Sequence, residues 1–231
     1  NEFQENFVEG LADHGMMKVA TDPDDYWTLS SKRKHPDKDE KVEVNSPYYI
    51  NMTGFGFHED VKEPMMVWLE EDLESDIVAG LNTGGNTMAS SLGGYSINTD
   101  DSISVIPVRK AGGDEKYTGA RRLGLPDDID IKDKEIDLVD DVGTTGGSLA
   151  GLHELLGEAD AKVDYWNIAA NRMEGVKETA ESYGAEVNAL VDAREALDIL
   201  YELGEIDGRE HEVAVNYTED PMEWNIDKGF V

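Results

Sequence analysis

The 231-residue sequence predicts an α/β fold with a central parallel sheet flanked by helices, and three observations carry that prediction. Short apolar runs alternate with segments of helical periodicity between residues 64 and 203, the pattern of strands joined by crossover helices. One strand-to-helix junction, IDLVDDVGTTGGS at 136–148, places two acids and a Thr/Gly/Ser loop where an open sheet binds its ligand. The chain is also long enough to bury one sizeable core without requiring a second domain.

The elements follow in order. Residues 1–14 read as an amphipathic helix with Phe3, Phe7, Val8 and Leu11 on one side. Strands are expected at 16–20 and 26–29, around the turn-forming TDPDD. The run SSKRKHPDKDEKVEVN (30–45) is charged and aperiodic, so an exposed loop or hairpin insertion is expected before the strand signal SPYYIN at 46–51. Helices are then expected at 64–73 and 86–93, with strands at 76–80, 102–108 and 135–140. Helices at 148–158, 175–183 and 193–203 alternate with strands at 162–169 and 185–191, giving right-handed crossovers. Residues 204–231 read as an extension with a strand at 212–217 and an irregular end. No internal repeat or low-complexity tract is present.

The junction at 136–148 carries chemistry. Leu149, Leu152, Leu155 and Leu156 follow it at helical spacing, so the loop opens a helix whose first amides and dipole favour an anion. A phosphate monoester fits there. Thr144, Thr145 and Ser148 add hydroxyl donors, while Gly146 and Gly147 admit close backbone approach and positive φ. Asp140 and Asp141 repel phosphate and suit the hydroxyls of a sugar or a hydrated cation. No Gly-Lys-Ser/Thr follows the glycines, which excludes a Walker A loop. Asp137 puts a charge into the strand, for which a solvated edge or a weakened strand would account.

Two further segments suit anions. AGLNTGGNTMA at 79–89 is a second small-residue junction centred on Thr83, Gly84 and Gly85, and on its own is equally well a structural glycine turn. SVIPVRKAGGDEKYTGARRLG places Arg109 and Lys110 at a strand end, before a long loop with Lys116, Arg121 and Arg122. In so acidic a chain this cationic cluster points to an anionic partner, and a closing loop of that kind would stabilise a leaving group and exclude water; a merely solvated basic loop is the alternative.

Composition narrows the class. With 20 Lys+Arg against 51 Asp+Glu the formal charge is −31, spread along the chain, which disfavours duplex nucleic acid and anionic membranes as partners. No basic recognition helix is present either. Such a charge suits a salt-rich cytosol, where the Debye length falls to about 3 Å at 1 M, so a halophilic source is expected, with an ordinary acidic protein as the alternative. The absence of cysteine excludes disulfides and thiolate metal sites. No apolar run approaches ~20 residues and the polar N-terminus is unlike a signal peptide, so the expectation is cytoplasmic.

The run at 136–148 resembles the phosphoribosyl pyrophosphate (PRPP) motif of the type I phosphoribosyltransferases: an apolar strand, two acids, then T-T-G-x-S/T. The resemblance implies that Thr144, Thr145, Gly146, Gly147 and Ser148 hold the 5′-phosphate and that Asp140 and Asp141 contact the ribose. Paired with it, 79–89 matches the family's pyrophosphate loop. Three segments narrow the likeness to the orotate phosphoribosyltransferases. SPYYIN resembles the SPxY segment beside the base; Arg109-Lys110 with Lys116 and Gly119 resembles the R-K-x-x-K-x-x-G catalytic loop; and Asn171-Arg172-Met173-Glu174-Gly175 resembles D-R-Q-E-G.

The implied architecture is the type I phosphoribosyltransferase fold over residues 1–204, with an N-terminal hood at about 1–60 over the base site, a core at about 61–204 and an extension at 205–231. The implied activity is orotate phosphoribosyl transfer in UMP biosynthesis, with Mg²⁺ bound through PRPP and a homodimer whose loop lysine reaches the neighbouring site. Lys110, Lys116, Asp140 and Asp141 would be catalytic; Arg109 would bind substrate, Arg172 the orotate ring or carboxylate, and Tyr48 and Tyr49 would line the base pocket. Ordinary strand packing accounts for the tyrosines nearly as well, and an ion pair with Glu174 would equally occupy Arg172.

Three departures stand out: Ser30 falls where the family has lysine, with Lys32 or Lys34 as substitutes; the loop is two residues longer before Lys116, with Thr118 at the usual histidine; and Asn171 replaces an aspartate. A regulator with this fold, binding PRPP or a nucleotide without catalysis, is the alternative.

Overall fold

The computed structural model describes residues 2–29, 32–97, 102–108, 122–126 and 128–231, with Asn82 described in its backbone only. The N-terminal part holds α1 (Glu2–Asp13), β1 (Met17–Val19), β2 (Trp27–Thr28), β3 (Arg33–Lys34), β4 (Lys41–Val42), β5 (Asn45–Ser46) and β6 (Tyr48–Ile50). It is built of three small antiparallel pairs: β1 with β6, β2 with β5, and β3 with β4. The charged run at 30–45 thus contains the hairpin expected of it. It is not wholly exposed, since His35 and Val44 are buried. Phe7, Val8 and Leu11 bury the inner face of α1, while Phe3 stays 38% exposed at its end.

The alternating part comprises α2 (Glu59–Asp72), β7 (Ile77–Gly80), α3 (Asn82–Ser96), β8 (Ser104–Pro107), β9 (Asp137–Gly143), α4 (Gly147–Gly157), β10 (Tyr165–Asn171), α5 (Val176–Ser182), β11 (Glu186–Asp192) and α6 (Ala193–Leu203). Among the described residues the main sheet has five strands in the order β11-β10-β9-β7-β8, every neighbouring pair parallel. Two apolar clusters pack against it. One joins Met88 and Leu92 of α3 with the N-terminal part and α6; the other joins Leu149, Leu152 and Leu156 of α4 with Trp166 and Ile168. Leucines at i, i+3 and i+7 share one face of α4, which is why that spacing predicted the helix.

Two expectations are corrected. Residues 212–217 are helical, not a strand: the chain ends in α7 (Gly208–Glu219) and α8 (Pro221–Asp227). The alternation in EVAVNY suggested a strand, but Asp207 and Glu210 form a reciprocal capping box at the start of α7, and Ala214, Val215, Tyr217 and Thr218 are buried at helical spacing. Asp220, with Pro221 behind it, starts α8 as a simple N-cap, its carboxylate accepting the backbone N–H groups of Met222 and Glu223. Asp137 does not face a solvated edge. It is 2% exposed on the central strand β9, and its carboxylate accepts the backbone N–H of Glu74 at 2.9 Å. Burial raises its pKa, opposed by the amide donors of Glu74 and Ser75. The charge therefore ties down the turn entering β7.

Candidate active site

β9 lies in the middle of the sheet, so its C-terminal end is the crevice of the fold. There the strand delivers Asp140 and Asp141 and runs into Thr144–Gly146, and α4 starts at Gly147. Asp140 with residues 142–149 lines a cavity of about 350 Å³. The amides of the first turn of α4 point toward this space, as at any helix start, and supply partial positive charge. Gly146 is the residue the loop cannot replace. Its φ is +77°, and a Cβ there would lie 3.2 Å from Thr179 Cβ, Trp166 Cζ3 and Val176 Cγ2. Thr179 also donates its hydroxyl to Thr145 O at 2.7 Å, fastening the loop to α5.

The second glycine junction converges on the same acids. Thr83, Gly84 and Gly85 lie in the first turn of α3, and Gly84 packs so closely that a Cβ would stand 2.0 Å from Asp141 Oδ1. Gly85 donates its N–H to Asp140. Burial raises the pKa of both carboxyls, and for Asp140, pushed well above its usual range, the neighbouring Asp141 adds to the effect. Two half-buried acids side by side are held at a cost that hydroxyl donors or a cation would relieve. The acid pair and the two glycine turns, far apart in sequence, thus meet at one sheet end.

Tyr48, Tyr49 and Arg172, expected at the base, each have partners within the fold. Tyr48 is fully buried, and its hydroxyl donates to Arg172 O at 2.8 Å. Strand packing is therefore what Tyr48 does in this structure. Tyr49 is half-buried and stacks on Trp27 with ring centroids 5.8 Å apart. Arg172 is 2% exposed: Nε and Nη2 donate to Glu174 Oε1 at 3.1 and 3.0 Å, Nη2 also reaches Ser46 Oγ at 3.0 Å, and the guanidinium lies 4.5 Å from the Tyr48 ring centroid. Burial works against its charge, but Tyr48, Glu174 and Tyr217 outweigh it and raise the pKa.

Glu174 is the centre of this cluster. Besides Arg172, its Oε1 accepts from Tyr217 OH at 3.0 Å, and Oε2 lies 2.8 Å from Arg33 Nη2. Sequence reasoning noticed Glu174 within the Asn171–Gly175 segment and as a possible partner of Arg172, and Ser46 only as the first residue of SPYYIN; it missed Arg33 and Tyr217. The capping box that marks α7 was the available signal for Tyr217; nothing local marks Arg33. Arg109, Lys110, Lys116 and Thr118, and Ser30, lie outside the described residues.

The arrangement can be set beside known proteins. The chain is similar in structure to orotate phosphoribosyltransferase from Aeropyrum pernix, with a TM-score of 0.60 over 87% of this chain and 99% of that one, at 24% identity. This chain has the type I phosphoribosyltransferase fold. The Leishmania donovani UMP synthase contains the same fold, with a TM-score of 0.66 at 16% identity over 93% of this chain, which spans 42% of that longer protein. In sequence, the chain is similar to the orotate phosphoribosyltransferase of Methanopyrus kandleri, 29% identical over 191 residues that cover 82% of this chain and 90% of the relative. No protein-family model matches. Within the phosphoribosyltransferase fold the acid pair, the cradle and the second glycine turn occupy the C-terminal crevice of the sheet. No helix among the described residues is long and apolar enough to cross a membrane.

Proposed function

We propose that this chain is an orotate phosphoribosyltransferase, transferring the phosphoribosyl group of PRPP to orotate to give orotidine 5′-phosphate and pyrophosphate, a step of UMP biosynthesis. The observation that carries the reading is the convergence of the Asp140/Asp141 pair, the 144–148 cradle and the Thr83–Gly85 turn on one crevice. In the reaction the bond from ribose C1 to pyrophosphate breaks, a ring nitrogen of orotate bonds to C1, and that nitrogen's proton passes to solvent. The cradle holds the 5′-phosphate and fixes the ribose in place, so its binding energy is available for orientation. Asp140 and Asp141 accept the ribose hydroxyls, and their negative charge favours the positive charge developing at C1. Thr83, Gly84 and Gly85 receive the pyrophosphate, with Arg109, Lys110 and Lys116 stabilising it as it leaves, one lysine coming from the neighbouring subunit of a homodimer.

The fit to Mg²⁺ is through substrate. Among the described residues the acid pair has no third carboxylate or histidine donor grouped with it, so the protein offers no complete cage there. That suits an ion carried on PRPP oxygens and water. When bound, Mg²⁺ neutralises charge on the pyrophosphate. The remainder rests on the protein: Tyr49 flanks the base, and Arg172 exchanges part of its bonding to Glu174 for the orotate carboxylate, a planar two-point match.

Pyrophosphate release from PRPP, measured at molar KCl with orotate, uracil, hypoxanthine or adenine, tests the reading; turnover with orotate alone is expected. The internal engagement of Arg172 favours a second reading, an effector-binding protein of the same fold, and binding of PRPP without turnover on any base would establish it.

A further inference from the structure

Where α1 ends and α2 begins, His14, His58 and Asp60 meet, one donor atom from each lying within 4.8 Å of the others. The two imidazoles stack with centroids 3.7 Å apart and planes inclined by 27°. His14 Nε2 stands 2.8 and 3.0 Å from the two Asp60 oxygens. The site is open to water, with 28% of the His14 side chain and 53% of the Asp60 side chain exposed. The chain has only 5 histidines among 231 residues, and two of them face each other here. It is the one such grouping of three among the described residues.

We infer that these three side chains form a binding site for one divalent first-row transition metal ion, with Zn²⁺ chemistry the best match. Two imidazole nitrogens and one carboxylate are a borderline donor set that selects Zn²⁺, Co²⁺ or Ni²⁺ over Mg²⁺ and Ca²⁺, which require oxygen. Bonds of about 2.0–2.2 Å to a tetrahedral ion bring donor atoms to about 3.3 Å from one another, so on binding the two rings must turn out of their stacked arrangement until both nitrogen lone pairs converge on the ion. Water completes the coordination.

The surroundings reinforce the choice. A groove of about 500 Å³ between the helices is lined by Glu9, Asp13, Asp60 and Glu63, a negative field that concentrates cations. A metal here would tie the end of α1 to the start of α2 and so act on stability, independently of the sheet-end crevice.

The full chain, stripped with EDTA and exchanged into KCl buffer, is titrated with Zn²⁺ alone and separately with Co²⁺ alone. One equivalent of Zn²⁺ is expected to bind, Co²⁺ to develop visible bands of low-symmetry nitrogen/oxygen coordination that Zn²⁺ abolishes, and Mg²⁺ in excess to displace neither. At roughly a hundredfold excess of Zn²⁺ over Kd the Tm should rise by about 5–10 °C. His14→Gln and His58→Gln, each shown by circular dichroism to retain the fold, should weaken Zn²⁺ binding at least about tenfold and remove the Tm shift; Asp60→Asn, at an exposed position, provides a third variant should either fail to fold. Weak binding of several equivalents, or stoichiometric binding unchanged in the variants, would overturn the assignment and place the metal on surface carboxylates.

Discussion

Replacing Glu174 by Ala should be among the most damaging single changes away from the crevice, because its carboxylate is fully buried and joins three parts of the chain. It receives Arg172 from the end of β10, Tyr217 from α7 and the charge of Arg33 from the β3–β4 hairpin. The Arg33 contact, though only 2.8 Å, lacks hydrogen-bond alignment, so its contribution is Coulombic. Removing the acid leaves the Arg172 guanidinium, 2% exposed, without its counter-charge. Breaking a buried pair from one side costs about 3–5 kcal/mol. For a chain of this size that lowers Tm by roughly 6–20 °C, at about 2–4 °C per kcal/mol. Tyr217→Phe removes one hydrogen bond to a charged oxygen that keeps its arginine, so about 1–2 kcal/mol is expected. Urea unfolding at fixed salt measures both as a fall in midpoint with the slope unchanged. Because solvent salt does not enter the pair, the loss should persist at molar KCl, whereas breaking the exposed Lys32–Glu43 pair at 3.5 Å should change stability by less than about 1 kcal/mol. A Glu174→Ala loss below about 1 kcal/mol, or one that vanishes in salt, would refute the cluster as a buried tie.

Asp140→Asn with Asp141→Asn should strongly weaken PRPP binding and abolish turnover while stabilising the free protein. Both carboxyls have raised pKa values in the fold, so their penalty is absent below the unfolded value near 3.8 and grows as pH rises through the folded values. Midpoints of variant and wild type, compared across pH, should therefore diverge upward from about pH 4; a constant gap would contradict the linkage. Gly146→Ala should cost about 1–3 kcal/mol from its left-handed backbone and raise the KM for PRPP, as steady-state kinetics and melting together would reveal. An unchanged KM would detach the loop from phosphate binding. Lys116→Ala should lower kcat more than it alters the KM for orotate, and mixing it with the Asp140/Asp141 variant should restore part of the activity if lysine crosses between subunits. Full subunit exchange without recovery would exclude a lysine acting in trans.

Much of the site was legible in the sequence because it is local. Asp140, Asp141 and the loop to Ser148 are consecutive, and strand, loop and helix each announce themselves by composition and spacing. The same holds for α6, whose apolar positions repeat at helical period and whose bounds match the expectation. Residues 212–217 were misread because a two-residue alternation over six positions is too short to separate strand from helix, and burial of Ala214, Val215 and Tyr217 against the rest of the core decided for helix. The sequence determined the charge, the absence of thiol chemistry, the alternating α/β order and the phosphate-type loop, all of which depend on neighbours along the chain. Only the tertiary structure decided that the Gly84–Gly85 turn closes on the acid pair, that Asp137 anchors a turn rather than facing water, and that the Glu174 holding Arg172 is itself held by the Tyr217 hydroxyl. Each of those depends on which buried polar group lies within about 3 Å of another, and that distance is set by packing between segments distant in sequence.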